Sequence, residues 1–391
     1  MNSTQLGVIT LLKSAVTQQS YPLPVDFALE AALPLLKSHD VSALAYSGAV
    51  ICGADRHCAP MQQLFQIYCT RILFSERQMK AVQAIYSAFD AAGIHYMPVK
   101  GCNLKQLYPE PGTRTMGDAD ILIRLEQYGQ IRSIMESLGY CEGAESDHEL
   151  IWKSKALCVE LHKRLIPSFN KDYFRYYGDG WQLASRSEGT HWYMTDEDQL
   201  VYLVTHFAKH YRSGGIGLRH VLDLWLFPRS CPALNEQYIH SQLKTLGLDT
   251  FYCNLQKLIA AWFEDGPTDE RTELIGQYIM ESGSWGRFEQ IALSSGLFKA
   301  SPDNALQKGQ RRWSIRIIFP PLSQMQYTYR FLKKHPAALP AAWVMRWIDV
   351  LRLRPQSVAR RIKEARLMSA DNLSRQEQLL NYMGLTFDFK E

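Results

Sequence analysis

Three acidic residues stand in settings where grouped carboxylates do chemistry. Asp118 and Asp120 lie in Gly117-Asp-Ala-Asp-Ile-Leu-Ile123, and Glu160 lies in Leu157-Cys-Val-Glu-Leu-His162. Both stretches alternate polar and apolar residues, the pattern of a half-buried strand. On such a strand Asp118 and Asp120 share one face, about 7 Å apart along the chain. If the two strands are neighbours, Glu160 joins the same patch. Each like-charge pair at ~5 Å and an effective dielectric of ~20 then costs about 3 kcal/mol. A cluster of that kind persists when protonated or when it surrounds a cation. All-oxygen ligands favour Mg²⁺, which keeps several waters and bridges substrate phosphates. The Asp-x-Asp spacing alone says little, because Asp196-Glu-Asp198 repeats it and reads as a helix start, with Thr195 and Asp198 as a capping box. The first pair differs in its context: a strand, an upstream Lys100-Gly101 turn and Arg114 between them.

The elements that must position these groups follow from periodicity. Ile94–Val99, Asp118–Ile123 and Leu157–Leu161 read as strands, and Glu126–Leu138, stopped by Gly139, as a crossover helix. Residues 26–92 read as helical, with Pro34 kinking or ending one helix and Gly93 stopping a longer one. From about residue 196 the pattern is helical again: Leu200–Phe207, Leu218–Phe227 stopped by Pro228, then 238–265 and 271–296. The organisation expected is a helical segment over 1–92, an α/β core over 93–190, a helical domain over 191–300 and a basic, aromatic helical segment over 301–391.

The ordered set Val99-Lys-Gly101, Leu107-Tyr-Pro-Glu-Pro-Gly-Thr-Arg114 and Gly117-Asp-Ala-Asp-Ile-Leu-Ile123 closely resembles the uncharacterised nucleotidyltransferase family of the DNA polymerase β superfamily. Val159-Glu-Leu-His162 is similar to the strand that carries that superfamily's third carboxylate. A looser likeness extends over roughly residues 26–350, through His39-Asp-Val-Ser-Ala-Leu, His206–His210 with Gly215–Asp223, and Tyr329–Arg346. The resemblance implies an α+β fold, a small polymerase β-like core flanked by helical segments. It implies an enzyme that moves a nucleoside monophosphate from an NTP, by default ATP, to an acceptor and releases pyrophosphate. Asp118 and Asp120 would hold Mg²⁺ in a two-metal site, and Glu160 would complete the site or act as general base. Gly101 would let the backbone approach the phosphates, and Lys100 and Arg114 would neutralise triphosphate charge. Lys209, His210 and Asp223 would contact nucleotide or acceptor. His162 would face the acceptor or bond to a carboxylate. Cys102 stands where the superfamily usually has serine and cannot supply a hydroxyl donor, which leaves more of the phosphate to backbone N–H groups and Lys100. The acceptor stays open: small molecule, sugar, protein side chain or RNA end.

Composition bounds the alternatives. The 391 residues are 46% hydrophobic and 21% charged, which suits two or three globular domains and excludes a disordered or fibrous chain. No apolar run approaches the roughly 18 residues that would span a bilayer. The stretch Leu6–Leu12 is cut by Lys13, so no secretory signal is expected. Eight cysteines without a CxxC pair read as reduced thiols in a cytoplasmic protein. There is no GxxxxGK[ST]; Gly214-Gly-Ile-Gly217 precedes a helix and reads as a turn; and Phe207 stands where a zincin between His206 and His210 would need Glu. Residues 308–366 hold 14 Lys and Arg against Asp349 and Glu364 alone. That segment suits a solvated face packed by its aromatics, an anionic membrane surface, or RNA. A non-catalytic nucleotide-binding or scaffold protein is the rival class, and the intact trio of acids argues against it.

Overall fold

The computed structural model describes residues 1–284, 286, 291, 293–294, 319–353 and 370–385. Four helices lead the chain: α1 (Ser3–Thr17), α2 (Leu29–Ser38), α3 (Ser42–Ile51) and the 33-residue α4 (Ala59–Ala91). Pro34 lies inside α2 without ending it. Within α1, Val8, Leu11 and Leu12 are wholly buried, and Lys13, buried beside them, reaches Asp265 at 3.3 Å. Long side chains manage this because their stems are apolar.

Seven strands form one mixed sheet. They are β1 (Tyr96–Val99), β2 (Asp118–Ile123), β3 (Cys141–Glu145), β4 (Glu149–Lys153), β5 (Cys158–His162), β6 (Arg186–Glu188) and β7 (His191–Tyr193), in the order β3-β4-β5-β2-β1-β7-β6. The short α5 (Gly101–Leu104) follows β1, and α6 (Tyr128–Ser137) lies on the crossover between the parallel strands β2 and β5. In-register pairing sets Asp118 beside Cys158, Asp120 beside Glu160 and Leu122 beside His162. Alternation does the rest. Ala119, Ile121, Ile123, Val159 and Leu161 face the other way and pack under Val82, Ile85 and Phe89 of α4 and Ile131 and Met135 of α6.

Helices cover the polar face as well. They are α7 (Lys171–Tyr177), α8 (Asp196–Arg212), α9 (Leu218–Ser230), α10 (Glu236–Thr245), α11 (Asp249–Phe263) and α12 (Glu270–Ser282). Met97, Val99 and Leu122 join one core with Tyr202, Phe207 and Leu222 of α8 and α9. The expected helix over 238–265 is two, broken where Gly247 takes a φ of 67°. Pro228 does not stop α9, which runs on to Ser230. α12 ends at Gly283 (φ 65°), short of 296. Thr195 accepts from the Asp198 N–H, but the reverse half of the capping box is absent: the threonine hydroxyl donates to the Asp198 carboxylate instead, at 2.9 Å. The second Asp-x-Asp is therefore a cap, as its spacing near a helix start predicts.

Among the described residues the further helices are α13 (Leu322–Thr328), α14 (Leu339–Leu353) and α15 (Ala370–Tyr382). Lys333 ties this part to the edge strand through Glu145, at 3.0 Å. Residues 308–318 and 354–366 of the basic segment lie outside the described residues. Among the described residues no helix is long and apolar enough to cross a membrane.

Candidate active site

Asp118, Asp120 and Glu160 open into a cleft of about 550 Å³ between the sheet and the helices α8 and α9. The period-two pattern brings the three carboxylates to one patch, and their charges perturb one another. Burial, then Asp118 and Asp120, push Glu160 up to about 9. Burial and Asp120 raise Asp118 in the same way. Asp120 goes the other way. Burial, which alone would raise it, is outweighed by the Lys100 ammonium 2.6 Å from its Oδ1 and by His162 Nε2 at 2.9 Å. His162 thus bonds to a carboxylate, the second of its two expected placements.

The β1–α5 turn carries strain where the pattern placed freedom. The positive φ sits at Lys100 (φ 55°, ψ −117°) rather than at Gly101. Side chains rarely adopt such a backbone, at a cost of order 1–3 kcal/mol. The ion pair to Asp120 holds it there. Gly101 lines the cleft, and a Cβ on it would come within 3.1 Å of Met116 Cγ. The Cys102 side chain does not line the cleft. It is buried 3.8 Å from the Met116 sulfur, and burial pushes its thiol up to about 11.

Arg114 lines the same cleft, with its charge already paired. Its Nε and Nη2 make a two-pronged contact with Asp223 of α9 at 2.7 and 2.6 Å, both residues being 4% exposed or less. Tyr108 donates to the same carboxylate at 2.9 Å, and buried Lys105 donates to the Arg114 carbonyl at 2.8 Å. The guanidinium that the resemblance sets against a triphosphate, and the acid it sets against nucleotide or acceptor, are paired with each other. They join the segment leading into β2 to α9.

The helical wall supplies other cations. Lys209 and His210 of α8 line the cleft, and burial with the Lys100 charge brings the Lys209 ammonium down to about 8. His210 Nε2 lies 3.1 Å from His206 Nε2; burial, then nearby lysines, hold both imidazoles neutral. Arg219 and His220, in the first turn of α9, also face the cleft and were not singled out in the sequence. Arg219 donates from Nη1 to the Thr115 carbonyl and hydroxyl and makes no ion pair among the described residues. Among the described residues its buried Nε has no partner, nor does His220 Nδ1. The signal available in sequence was their place after Gly214-Gly-Ile-Gly217, a turn in which Gly214 (φ 128°) takes a conformation and a closeness to Ile291 that a side chain would not allow. His148 and Glu149, at the start of β4, complete the cleft's rim, and no motif marked them.

A three-carboxylate patch on two parallel strands, facing a basic helical wall across a cleft, defines a class of α+β phosphoryl- or nucleotidyl-transfer domain. A family model described as uncharacterised nucleotidyltransferase matches residues 26–264, and the chain belongs to that family. No curated protein and no solved structure matches the chain.

Proposed function

We propose that the chain transfers a nucleoside monophosphate from an NTP, with ATP as default donor, to an acceptor nucleophile and releases pyrophosphate. The observation that carries this reading is the in-register pairing of Asp118 and Asp120 with the strand of Glu160, opening into a cleft whose far wall is basic. The oxygen donors suit Mg²⁺, and the raised Asp118 and Glu160 fit a cation, since a divalent charge relieves the repulsion that protonates them. Bound there, Mg²⁺ would stabilise charge on the attacking and leaving oxygens.

The chain's own residues position the rest. Lys209 and Arg219 receive the triphosphate, the part the resemblance gives to Lys100 and Arg114. Lys100 balances Asp120 and stands beside the phosphate turn. Glu160 holds the ion or takes the acceptor proton, and its environment serves either role. Positioning and charge are what such a transfer asks of a protein. Incubation of cell extract and protein with each α-labelled NTP and Mg²⁺ tests the reading: one NTP should label one acceptor class, be it small molecule, sugar, protein or RNA. Absence of label with all four nucleotides would refute it.

Two wider parts of the reading are proposals of the same kind. Eight cysteines are unbridged, which suits the reducing cytoplasm. On α14 the exposed Val344, Met345 and Ile348 share a face beside a strongly basic sequence, which suits an anionic membrane surface better than RNA, because aliphatic side chains gain from acyl chains and not from phosphates.

A further inference from the structure

Beside the carboxylate patch lies a second group of ligands of different chemistry. One ligand atom each from His148, Glu149 and His162 lie within 4.8 Å of one another. Glu149 and His162 are cross-strand partners on β4 and β5, and the Lys163 N–H donates to the His148 carbonyl at 2.7 Å, so the backbone fixes all three.

The tautomer of His162 carries the argument. The ring is 1% exposed, and its Nε2 lies 2.9 Å from the Asp120 carboxylate, which can only accept. Nε2 therefore bears the proton, and Nδ1 of the neutral ring presents a lone pair. That Nδ1 is buried and has no hydrogen-bond partner among the described residues. A buried lone pair without a donor is costly, and an electrophile relieves it. A carboxylate bonded to one imidazole nitrogen while the other binds a cation is a recurrent metal-site arrangement, because the carboxylate sets ring orientation and raises ligand basicity. His148 is held by its other nitrogen: Nδ1 lies 3.2 Å from the Ser146 hydroxyl and can donate to it, which leaves Nε2, 3.0 Å from Glu149 Oε2, to share an ion with that carboxylate. Ser146 Oγ also accepts from the N–H of Glu149, at 3.2 Å.

We propose that His162 Nδ1, His148 Nε2 and Glu149 form a seat for a zinc-like transition ion next to the carboxylate patch, with His162 shared between them. Two imidazoles and a carboxylate suit Zn²⁺ and leave a position open toward the cleft, whereas the all-oxygen patch suits Mg²⁺. The ion would fix His162 as the donor to Asp120 and present a Lewis-acidic position to a phosphate or hydroxyl in the cleft.

The test reads metal occupancy, so its failure leaves nucleotidyl transfer standing. Chelator-stripped full-length protein is titrated with Zn²⁺ in excess Mg²⁺ by calorimetry, and with Co²⁺ by visible absorption. One Zn²⁺ per chain and a low-symmetry Co²⁺ band are expected. His148→Ala and Glu149→Gln should each weaken Zn²⁺ at least about tenfold and lose the band, with melting curves confirming that both variants fold. Asp118→Asn should keep both signals, which separates this seat from the carboxylate patch. His240→Ala should keep them too, which separates it from the surface group His240, Asp249 and Cys253. No Zn²⁺ binding, binding unchanged in the His148 and Glu149 variants, or binding lost with Asp118 or His240 would each overturn the proposal.

Discussion

Glu160→Gln should stabilise the metal-free protein and remove its response to Mg²⁺. The carboxyl is 20% exposed and is held up to about 9 by burial and by Asp118 and Asp120, against an ordinary value near 4.5. An acid whose folded value is raised contributes stability that is fully present below about pH 4.5 and is lost as pH rises through about 9. At ~1.4 kcal/mol per unit, the wild type gives up about 3 kcal/mol between pH 4.5 and 7 and more by pH 9. Gln keeps the shape and does not ionise, so this part of the slope should vanish. Mg²⁺ acts on the same group from the other side. It binds the ionised cluster and should stabilise the wild type by about 2.7 kcal/mol at a hundred times its dissociation constant. Urea melts at pH 6 and 8.5, each with and without Mg²⁺, read both effects. Equal slopes for the two proteins, or an equal Mg²⁺ shift in both, would refute the crowded-carboxylate account.

Three further outcomes follow from particular contacts. Arg114→Ala strands Asp223 in the core and should cost about 3–5 kcal/mol in a thermal melt, whereas Arg219→Ala should melt near wild type yet bind NTP more weakly, with nucleoside affinity unchanged in a calorimetric comparison. His39 accepts the Leu218 N–H at Nδ1 and donates from Nε2 to the Met280 carbonyl, and burial lowers it to about 4; a depressed imidazole loses stability as pH falls from 6.5 to 4, about 3 kcal/mol here, and His39→Gln should flatten that part of a pH-resolved urea series. The protein should sediment with anionic but not neutral vesicles at low salt, and Ile348→Glu should abolish this; sedimentation unchanged by that substitution would remove α14 from the contact.

Much of the sheet was legible because its central strands obey a simple period. Asp118–Ile123 has the bounds its alternation predicts, and in-register pairing with β5 turns two separate patterns into one patch. The β3–β4 hairpin was not legible, since Cys141–Glu145 is an exposed edge strand with no apolar alternation and a register shift between Glu142 and Glu145. The short pair β6–β7 has three residues a strand, too few for a period. Within the cleft, strand residues were readable and partners from distant segments were not. Nothing local to Arg114 says that its charge meets Asp223, 109 positions on, or that Arg219, in the same cleft, makes no ion pair among the described residues. Residue type marks a cation for phosphate, but the fold decides whether a buried carboxylate reaches it first.

The central claim, that Asp118, Asp120 and Glu160 form a metal-dependent nucleotidyl-transfer site, is tested most directly by one comparison. Purified wild type and Asp118→Asn, once each is shown to be folded, are given the α-labelled NTP and acceptor fraction with Mg²⁺, and both labelled product and pyrophosphate are counted. Asp118 is the better choice than Asp120, whose carboxylate also anchors Lys100 and His162. The account predicts equal amounts of the two products from the wild type, none after Mg²⁺ is chelated, and none above background from Asp118→Asn. Transfer by Asp118→Asn at the wild-type rate, or transfer that survives chelation, would contradict it.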